Sequence, residues 1–368
     1  MQIEVYAMET IANSVQITLE AVCDSFSSLL WDVQYYECGR FEIYVAANAR
    51  NIGIFQAGKI IGRDDDKQHY GIIETILLQT DVENGDYLTV SGRFLMSLLS
   101  RRIIYPTLSF TTQTSYKDMV QTAIRRNCIT SGVRQIPGLI LGESTQFWDK
   151  TSRLQVSYDN LMDWIYKICE ITGGTANIIL RETYVNSEQY TMRFTLSQGE
   201  DRSITQTENA HVVFSDSYCN LLNFSYAFDC LEHSNTAYIF GAGEGSQRKQ
   251  TLYFDGDEPE KLNRYELYID AKDVSQEDGE EPISDEDYLG LLAERGAENL
   301  VPIVETSESM IAADGKQYQY NKDYFVGDFV TVEHERFGLI QPKIQLTGMI
   351  ESYDQNGRNL TPTFRNGG

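Results

Sequence analysis

Leu29-Leu30-Trp31-Asp32 opens the most telling stretch of the chain. Tyr35-Tyr36-Glu37-Cys38-Gly39-Arg40-Phe41-Glu42-Ile43 follows, then Gly58-Lys59-Ile60-Ile61-Gly62-Arg63 and Tyr70-Gly71-Ile72-Ile73-Glu74. Leu88-Thr89-Val90-Ser91-Gly92-Arg93 and Arg101-Arg102-Ile103-Ile104 complete it. Phe41, Ile43 and Val45 alternate with Arg40, Glu42 and Tyr44, the period of a strand with one face on a core. Turn residues separate the runs, and no catalytic motif lies in them. The stretch reads as a succession of half-buried strands.

The same alternation recurs further on. Tyr190, Met192, Phe194 and Leu196 alternate with Thr191, Arg193 and Thr195, and Ile344, Leu346, Gly348 and Ile350 repeat the pattern near the end. Asn84-Gly85 and Asn356-Gly357 offer tight hairpin turns, because both residue types tolerate positive φ. Three segments read as helices. Ser115, with Asp118 three residues later, caps one that carries Met119, Val120, Ala123 and Ile124. Asn160 or Asp159 caps a second, with Leu161, Trp164, Ile165 and Ile168 on one face and Gly173-Gly174 at its end. Ser284, with Asp287, caps a third that carries Leu289, Leu292 and Ala293; acidic residues in its first turn suit the helix dipole. Gln276 to Pro282 is charged, holds Gly and Pro, and reads as a loop.

The order is strands to about residue 110, a mixed α/β part to about 206, and a second strand-rich part interrupted by an acidic stretch and one helix. At 368 residues, two or three domains are expected. A hydrophobic fraction of 42% supports packed cores. The 23 tyrosines suit half-exposed strands and interfaces.

The net charge of −24 argues against a surface that grips DNA, since duplex binding rests on Lys and Arg neutralising phosphates. Half of the excess lies between Asp255 and Glu298, where 16 acidic residues face 4 basic ones. Cys23, Cys38, Cys128, Cys169, Cys219 and Cys230 show no CxxC pair, so free buried thiols made in a reducing cytoplasm are expected rather than a disulfide framework. The N-terminus lacks the pattern of a signal peptide, and no run approaches the ~20 apolar residues of a membrane helix.

Few motifs point to chemistry. Gly241-Ala242-Gly243-Glu244-Gly245-Ser246 follows the apolar run Tyr238-Ile239-Phe240, but its glycine spacing is not that of a phosphate loop, so a turn between strands is expected. Asp64-Asp65-Asp66 and Asp255-Gly256-Asp257-Glu258 lack the Gly and distal Glu of an EF-hand and read as solvated turns. His69, His211, His233 and His334 are scattered, with no zinc-ligand spacing. With 54 Asp and Glu, no carboxylate pair stands out for glycoside hydrolysis. Neither GxSxG nor a Cys/His signature is present. The doubled arginines Arg101-Arg102 and Arg125-Arg126 are expected to pair with carboxylates, within or between subunits. No catalytic, cofactor or metal residue is assigned.

The first hundred residues resemble the N-terminal part of the baseplate-hub, or tail-associated, family of long-tailed phages and phage-derived particles. The resemblance rests on Trp31 to Phe41, on Gly58 to Arg63 and Gly71 to Glu74, and on Val90-Ser91-Gly92-Arg93 leading to Leu98-Leu99-Ser100-Arg101-Arg102. Arg134-Gln135-Ile136-Pro137-Gly138-Leu139 is similar to the same family. So are Tyr324-Phe325-Val326-Gly327-Asp328-Phe329-Val330-Thr331-Val332 and Ile350 to Phe364 with Thr361-Pro362-Thr363-Phe364. The resemblance implies a mainly β chain with α+β parts: two hub-type β-barrels, an inserted α/β domain and a helical, acidic insertion. The first barrel is expected from 1–110 with 207–236, closed by strands around Val212-Val213-Phe214 and Leu221 to Phe228. The inserted α/β domain spans 111–206. The second barrel spans 237–368, with its acidic loop and helix at about 255–300.

The resemblance further implies a homotrimer whose six barrels make a pseudo-sixfold ring, joining a hexameric tail tube to a threefold tip. The implied partners are the tail tube or a distal tail protein, and a tip, spike or receptor-binding protein. The implied place is the virion tail of a phage or prophage particle, after synthesis in the bacterial cytoplasm. Three copies bring about −72 to the ring, so an acidic channel wall would let DNA pass without sticking. Many members carry a further C-terminal peptidase, lysozyme-like or receptor-binding module; this sequence stops at Gly367-Gly368, so no enzymatic role and no cofactor carries over. The alternative is a glycan-binding or carbohydrate-active tail-tip protein that uses tyrosines, Trp31, Trp148 or Trp164 as sugar platforms.

Overall fold

A computed structural model describes residues 1–11, 14–82, 85–144, 148, 150–184, 188–278, 281–311 and 317–365. The N-terminal region holds β1 (Ile3–Ile11), β2 (Ser14–Cys23), β3 (Ser28–Gln34), β4 (Arg40–Ala46), helix α1 (Ala49–Ile54), β5 (Ile60–Arg63), β6 (Asp66–Ile72), β7 (Thr75–Asp81) and β8 (Gly85–Arg93). A 3-10 segment, Leu95–Arg101, leads to the middle region. There β9 (Leu108–Ser115), α2 (Tyr116–Ile124), β10 (Leu139–Ser144), β11 (Thr151–Val156), α3 (Leu161–Thr172), β12 (Thr175–Glu182) and β13 (Gln189–Ser197) follow. The C-terminal region has β14 (Val213–Ser215), β15 (Leu221–Asp229), β16 (Thr236–Phe240), β17 (Gln250–Phe254), β18 (Glu266–Asp270), β19 (Glu277–Asp278), β20 (Glu281–Pro282) and α4 (Asp285–Asn299). It ends with β21 (Val304–Ile311), β22 (Phe329–His334), β23 (Leu339–Asp354) and β24 (Gly357–Arg365). Strand makes up 49% and helix 20%, so the chain is mainly β, as expected.

Two large sheets organise these strands. The first runs β10-β13-β2-β1-β5-β6, with β12 also on β13. The second runs β15-β21-β24-β23-β3-β4-β8-β7, and β22 branches from β23 to carry β14. Among the described residues neither closes into the expected barrel. The first sheet comes near to it: Asn177 and Arg181 on β12 donate to the backbone carbonyls of Gln68 and Lys67 on β6, at 2.6 and 2.9 Å. Side chains, not a strand ladder, span that gap. The sheets also cross the segment order. β10, β12 and β13 share a sheet with β1 and β2, and β23 pairs with β3 across more than 300 residues of sequence.

Each sheet has its own core. Trp31, Phe41, Ile43, Val45, Val90 and Phe94 pack with Ile3, Val5 and Ile61 between the two sheets. Met119, Val120 and Ile124 of α2 and Leu161, Trp164 and Ile165 of α3 pack under the first sheet with Trp148, Phe194 and Leu196. Burying such side chains stabilises by about 1.5–3 kcal/mol each. Phe214, Tyr324, Ile344, Leu346 and Phe364 fill a third core. A fourth, Ala237, Ile239, Val274, Tyr288, Leu291 and Leu292, lies between α4 and the small sheet β17-β16-β18. That last unit is inserted between β15 and β21. Its entry and exit run side by side, where Ser234 N donates to Val301 O at 2.9 Å.

The three helix caps form as read. Ser115 Oγ accepts from Asp118 N, Asn160 Oδ1 from Met162 N and Asp163 N, and Ser284 Oγ from Asp287 N, while Gly173 ends α3 at φ +75°. The β4 and β13 alternations hold. In β23 the alternation breaks. A register shift between Leu346 and Gly348 inserts Thr347, and Met349 and Glu351 become the buried residues while Ile350 turns half-exposed. The final hairpin closes at Asp354 and Gly357, where Gly357 alone takes positive φ; the turn residues are Gln355 and Asn356. Asn84, of the earlier expected turn, lies outside the described residues, as do Gly367 and Gly368. The charged loop after Gln276 contains the short β19–β20 pair. All six cysteines are free, but Cys219 and Cys230 are exposed rather than buried.

Candidate functional site

The centre of the second sheet, where β3 meets β23, is fastened to the first sheet by charge. Arg63 on β5 is wholly buried and donates to Glu351 on β23 at 2.8 Å and to Asp65 at 2.8 Å. Arg358 on β24 reaches the same carboxylate at 3.0 Å. The Arg63 guanidinium lies over the rings of Trp31 (5.4 Å) and Tyr353 (5.5 Å). Beside it Asp66 accepts from Trp31 Nε1 at 3.0 Å, pairs with His69 Nδ1 at 2.8 Å, and takes the backbone N–H groups of Gln68 and His69. Burial works against its charge, yet His69, Arg63 and these donors outweigh it and hold the carboxyl well below its usual range. A buried charge of this kind persists only when paired. The cluster therefore fixes how the two sheets sit.

A second joint explains the Gly327-Asp328 pair. Gly327 has φ +105°, and a Cβ there would lie 2.1 Å from the Tyr35 ring, so only glycine fits. Asp328 then accepts from Glu200 N at 2.7 Å, Arg202 Nε at 2.9 Å and Phe325 N at 3.0 Å, tying the segment after β13 to β22. A cleft of about 330 Å³ opens here, lined by Tyr35, His69, Asn177, Glu200 and Asn321 among others.

The two ends of the second sheet are different. β7 and β15 are its edge strands. Leu77 is 49% and Leu78 55% exposed on β7; Leu222 is 56% and Phe228 55% exposed on β15. Leu222, Phe224, Tyr226 and Phe228 alternate with small or polar residues, a pattern that belongs on a core. Here most of it faces solvent. Soluble proteins ordinarily blunt such edges with charge, proline or bulges. Every pairing from β7 through β8, β4, β3, β23, β24 and β21 to β15 is antiparallel. Eight alternating strands leave β7 and β15 running in opposite directions. An antiparallel strand laid against either edge would continue the same alternation.

The motifs singled out in the sequence fall elsewhere. Gly241 to Ser246 is the turn between antiparallel β16 and β17, with Gly241 N donating to Lys249 O at 2.8 Å. Asp64, Asp65 and Asp66 form the β5–β6 turn, and their oxygens serve Gln2 N, Arg63 and His69. Glu258 of the other acidic turn pairs with Arg264 at 2.8 Å. His211 and His233 bond backbone carbonyls, and His334 lies 3.2 Å from Asp216. Among the described residues no group of three or more His, Cys, Asp and Glu could hold a metal ion. Arg101 approaches Glu74 at 4.0 Å, but Arg102 turns to the Arg134 carbonyl at 2.7 Å, so carboxylate pairing within the chain fails for it. Trp31, Trp148 and Trp164 are all buried, which removes them as sugar platforms. Sequence reading missed the Arg63–Glu351 pair, which carries no local signal. It also missed the open edges, although Ile76-Leu77-Leu78 without alternation was a visible hint.

Comparison with known proteins agrees with this architecture. The chain is similar in structure to the tail protein from Neisseria meningitidis MC58, with TM-score 0.58 and 12% identity over 99% of this chain and 95% of that one. It is likewise similar to the 43 kDa tail protein of prophage MuSo2 from Shewanella oneidensis, with TM-score 0.56 and 11% identity over 99% and 98%. The prophage tail protein gp18 from Listeria monocytogenes EGD-e gives TM-score 0.52 and 12% identity over 99% and 94%. At such identities the likeness is one of fold. No curated protein sequence matches the chain. The sequence profile of one family, however, matches residues 10–364, nearly the whole length. The chain belongs to the Siphovirus ReqiPepy6 Gp37-like protein family.

Proposed function

We infer that this protein is a structural hub of a phage tail or tail-like particle: three copies close into a ring that joins the hexameric tail tube to a threefold tip and leaves a channel. The observation that carries the reading is the pair of open, apolar, oppositely directed edges on one eight-stranded sheet. Pairing β15 of one copy with β7 of the next is a head-to-tail contact, which closes when the rotation allows. Three copies supply a ring of about 24 strands, and closure removes the two open edges of that sheet. Within each copy the four strands β7-β8-β4-β3 and the four strands β23-β24-β21-β15 stand as two comparable blocks, which suits a threefold ring that mimics sixfold symmetry.

The role is structural, without catalysis. Its neighbours are the tail tube or a distal tail protein on one side and a tip, spike or receptor-binding protein on the other. Of the units expected from sequence, 1–110 with 207–236, 111–206 and 237–368, the described strands of 207–236 do not close a barrel with 1–110: β14 and β15 pair with β22 and β21 and so group with the C-terminal strands. The sheet face turned away from the cores carries Glu42, Ser91, Asn359, Thr361 and Thr363, with Arg40 set 3.2 Å from Asp32. Leu30, Tyr44, Tyr87 and Ile350 share that face by register, so a channel lined by it has a wall of mixed polar and apolar side chains, and the acidic excess lies mostly beyond it. DNA passes such a wall without specific binding. The glycan-binding alternative loses its tryptophans, and no other observation favours it.

The mass of the purified protein in solution tests the ring. A trimer of about 125 kDa, three times the 41.9 kDa chain, supports it, and Leu78→Asp on β7 should then return the chain to monomer. A stable dimer, or a trimer indifferent to substitutions on both edges, overturns it.

A further inference from the structure

This acidic chain carries one basic island. Residues 101–142 hold Arg101, Arg102, Lys117, Arg125, Arg126 and Arg134 against Asp118 alone. Folding gathers the arginines at one end of the middle region. Arg102 Nε donates to Arg134 O at 2.7 Å, and Arg134 donates to the carbonyls of Tyr105, at 3.0 Å, and Ile103. Tyr105 N donates to Asn127 Oδ1 at 3.0 Å, beside Arg125 and Arg126. Among the described residues, Arg102, Arg125, Arg126 and Arg134 form no ion pair with a carboxylate; Arg125 reaches Gln121 Oε1 at 3.5 Å. Exposed Ile103, Tyr105 and Val133 lie among them. Apolar and tyrosine side chains ringed by arginine have the make-up of a protein-binding surface. The island is too small to hold a duplex against a net charge of −24.

The same chain carries a complementary surface. The unit inserted between β15 and β21 includes the −12 stretch from Asp255 to Glu298. In the proposed ring, strand direction would bring the two to the same side. The insertion leaves β15 after Asp229 and returns at Val304, so both connections lie at one rim of the sheet. Antiparallel pairing puts the Thr75 end of a neighbour's β7 on that same rim. There Glu74 is held by Arg93 at 2.9 Å, and the 3-10 segment ending in Arg101 begins just beyond Arg93.

We propose that in the ring the acidic insertion of one copy docks on the arginine face of the next. The contact rests on the ring reading above. It adds a charged clasp outside the paired edges, and it places the unpaired arginines against carboxylates between subunits. Such a clasp steers assembly and weakens with salt.

Two sets of exposed residues test it in the full-length protein: Arg101→Glu/Arg125→Glu/Arg126→Glu, and Asp255→Lys/Asp257→Lys/Glu260→Lys. Sedimentation equilibrium at about 0.05 and 0.5 M salt reads the trimer, with circular dichroism confirming the fold. Each set alone should weaken the trimer by about tenfold or more at low salt and flatten its salt dependence. The two sets combined should restore it to within about threefold of the parent, because the charges are exchanged, not lost. A trimer unmoved by either set overturns the clasp and leaves the ring standing. Weakening by one set that the combination fails to restore also overturns it. A parent protein that forms no trimer overturns the ring and the clasp with it.

Discussion

The centre and the two ends of the long sheet are built on opposite rules. At the centre, β3 and β23 bury Trp31, Met349 and Glu351, and Glu351 pairs with Arg63 and Arg358 inside the chain. At the ends, β7 and β15 show leucine and phenylalanine to solvent with one side of each backbone unpaired. The same strand chemistry thus does two jobs. Buried pairing holds one chain in its shape, and in the proposed ring open pairing joins it to another chain. A substitution at the centre should register in stability, and one at the ends in association.

The largest expected effect is at the centre. Glu351→Ala leaves Arg63 and Arg358 without their shared carboxylate in a buried site, and should cost about 3–5 kcal/mol in urea unfolding. If it costs under about 1 kcal/mol, the centre is not held as described. Trp31→Ala should be of similar size, because it removes a buried indole and strips a donor from Asp66.

Next comes the contact of the insertion with the middle region of its own chain, where Ser275 N donates to Gln155 Oε1 at 2.6 Å and Arg153 pairs with Asp287 at 3.3 Å. Glu298 faces Arg295 and Glu294 on its own helix, with Lys167 and Asp159 opposite. Burial, followed in effect by the Arg295 charge opposing it, leaves its carboxyl pushed up to about 7. A raised carboxyl is a penalty on the folded state once ionised. That penalty is full above pH 7 and disappears as pH falls toward the ordinary glutamate value. Asp66 has the opposite sign: its depressed carboxyl stabilises above the ordinary aspartate value, and this contribution is lost as pH falls below it. Thermal stability should therefore rise from pH 8 to pH 5 and drop below about pH 4. Glu298→Gln should add about 1–3 kcal/mol at pH 8 and only about a quarter of that at pH 5. A variant equally affected at both pH values would show that burial does not raise the Glu298 carboxyl.

The smallest stability effect belongs to the edges. Leu78→Asp should change unfolding by about 0.5 kcal/mol or less, since the side chain is 55% exposed. The same change should abolish the trimer. Comparable loss of stability at Leu78 and at Glu351 would erase the contrast between edge and centre.

Local chemistry wrote much of this fold into the sequence. Ser115, Asn160 and Ser284 start helices because their side chains satisfy backbone N–H groups within three residues. The strands at Phe41 and Met192 were legible because alternation needs only a pleat and one covered face. Gly173 stops α3 because φ +75° suits glycine. The order of the β-rich motifs also indicated the family, which the profile over residues 10–364 established.

Only the tertiary structure decided the rest. Thr347 flips the face of β23 because an extra residue in one strand shifts every later side chain, and nothing local marks it. Arg63 and Glu351 are 288 residues apart and meet because β5 and β23 belong to sheets that stack. The alternation of Leu222, Phe224, Tyr226 and Phe228 announces a face to be covered, but a pattern cannot say whether the cover comes from the same chain. The fold shows that, among the described residues, pairing in the sheet ends at β15 and leaves the row open.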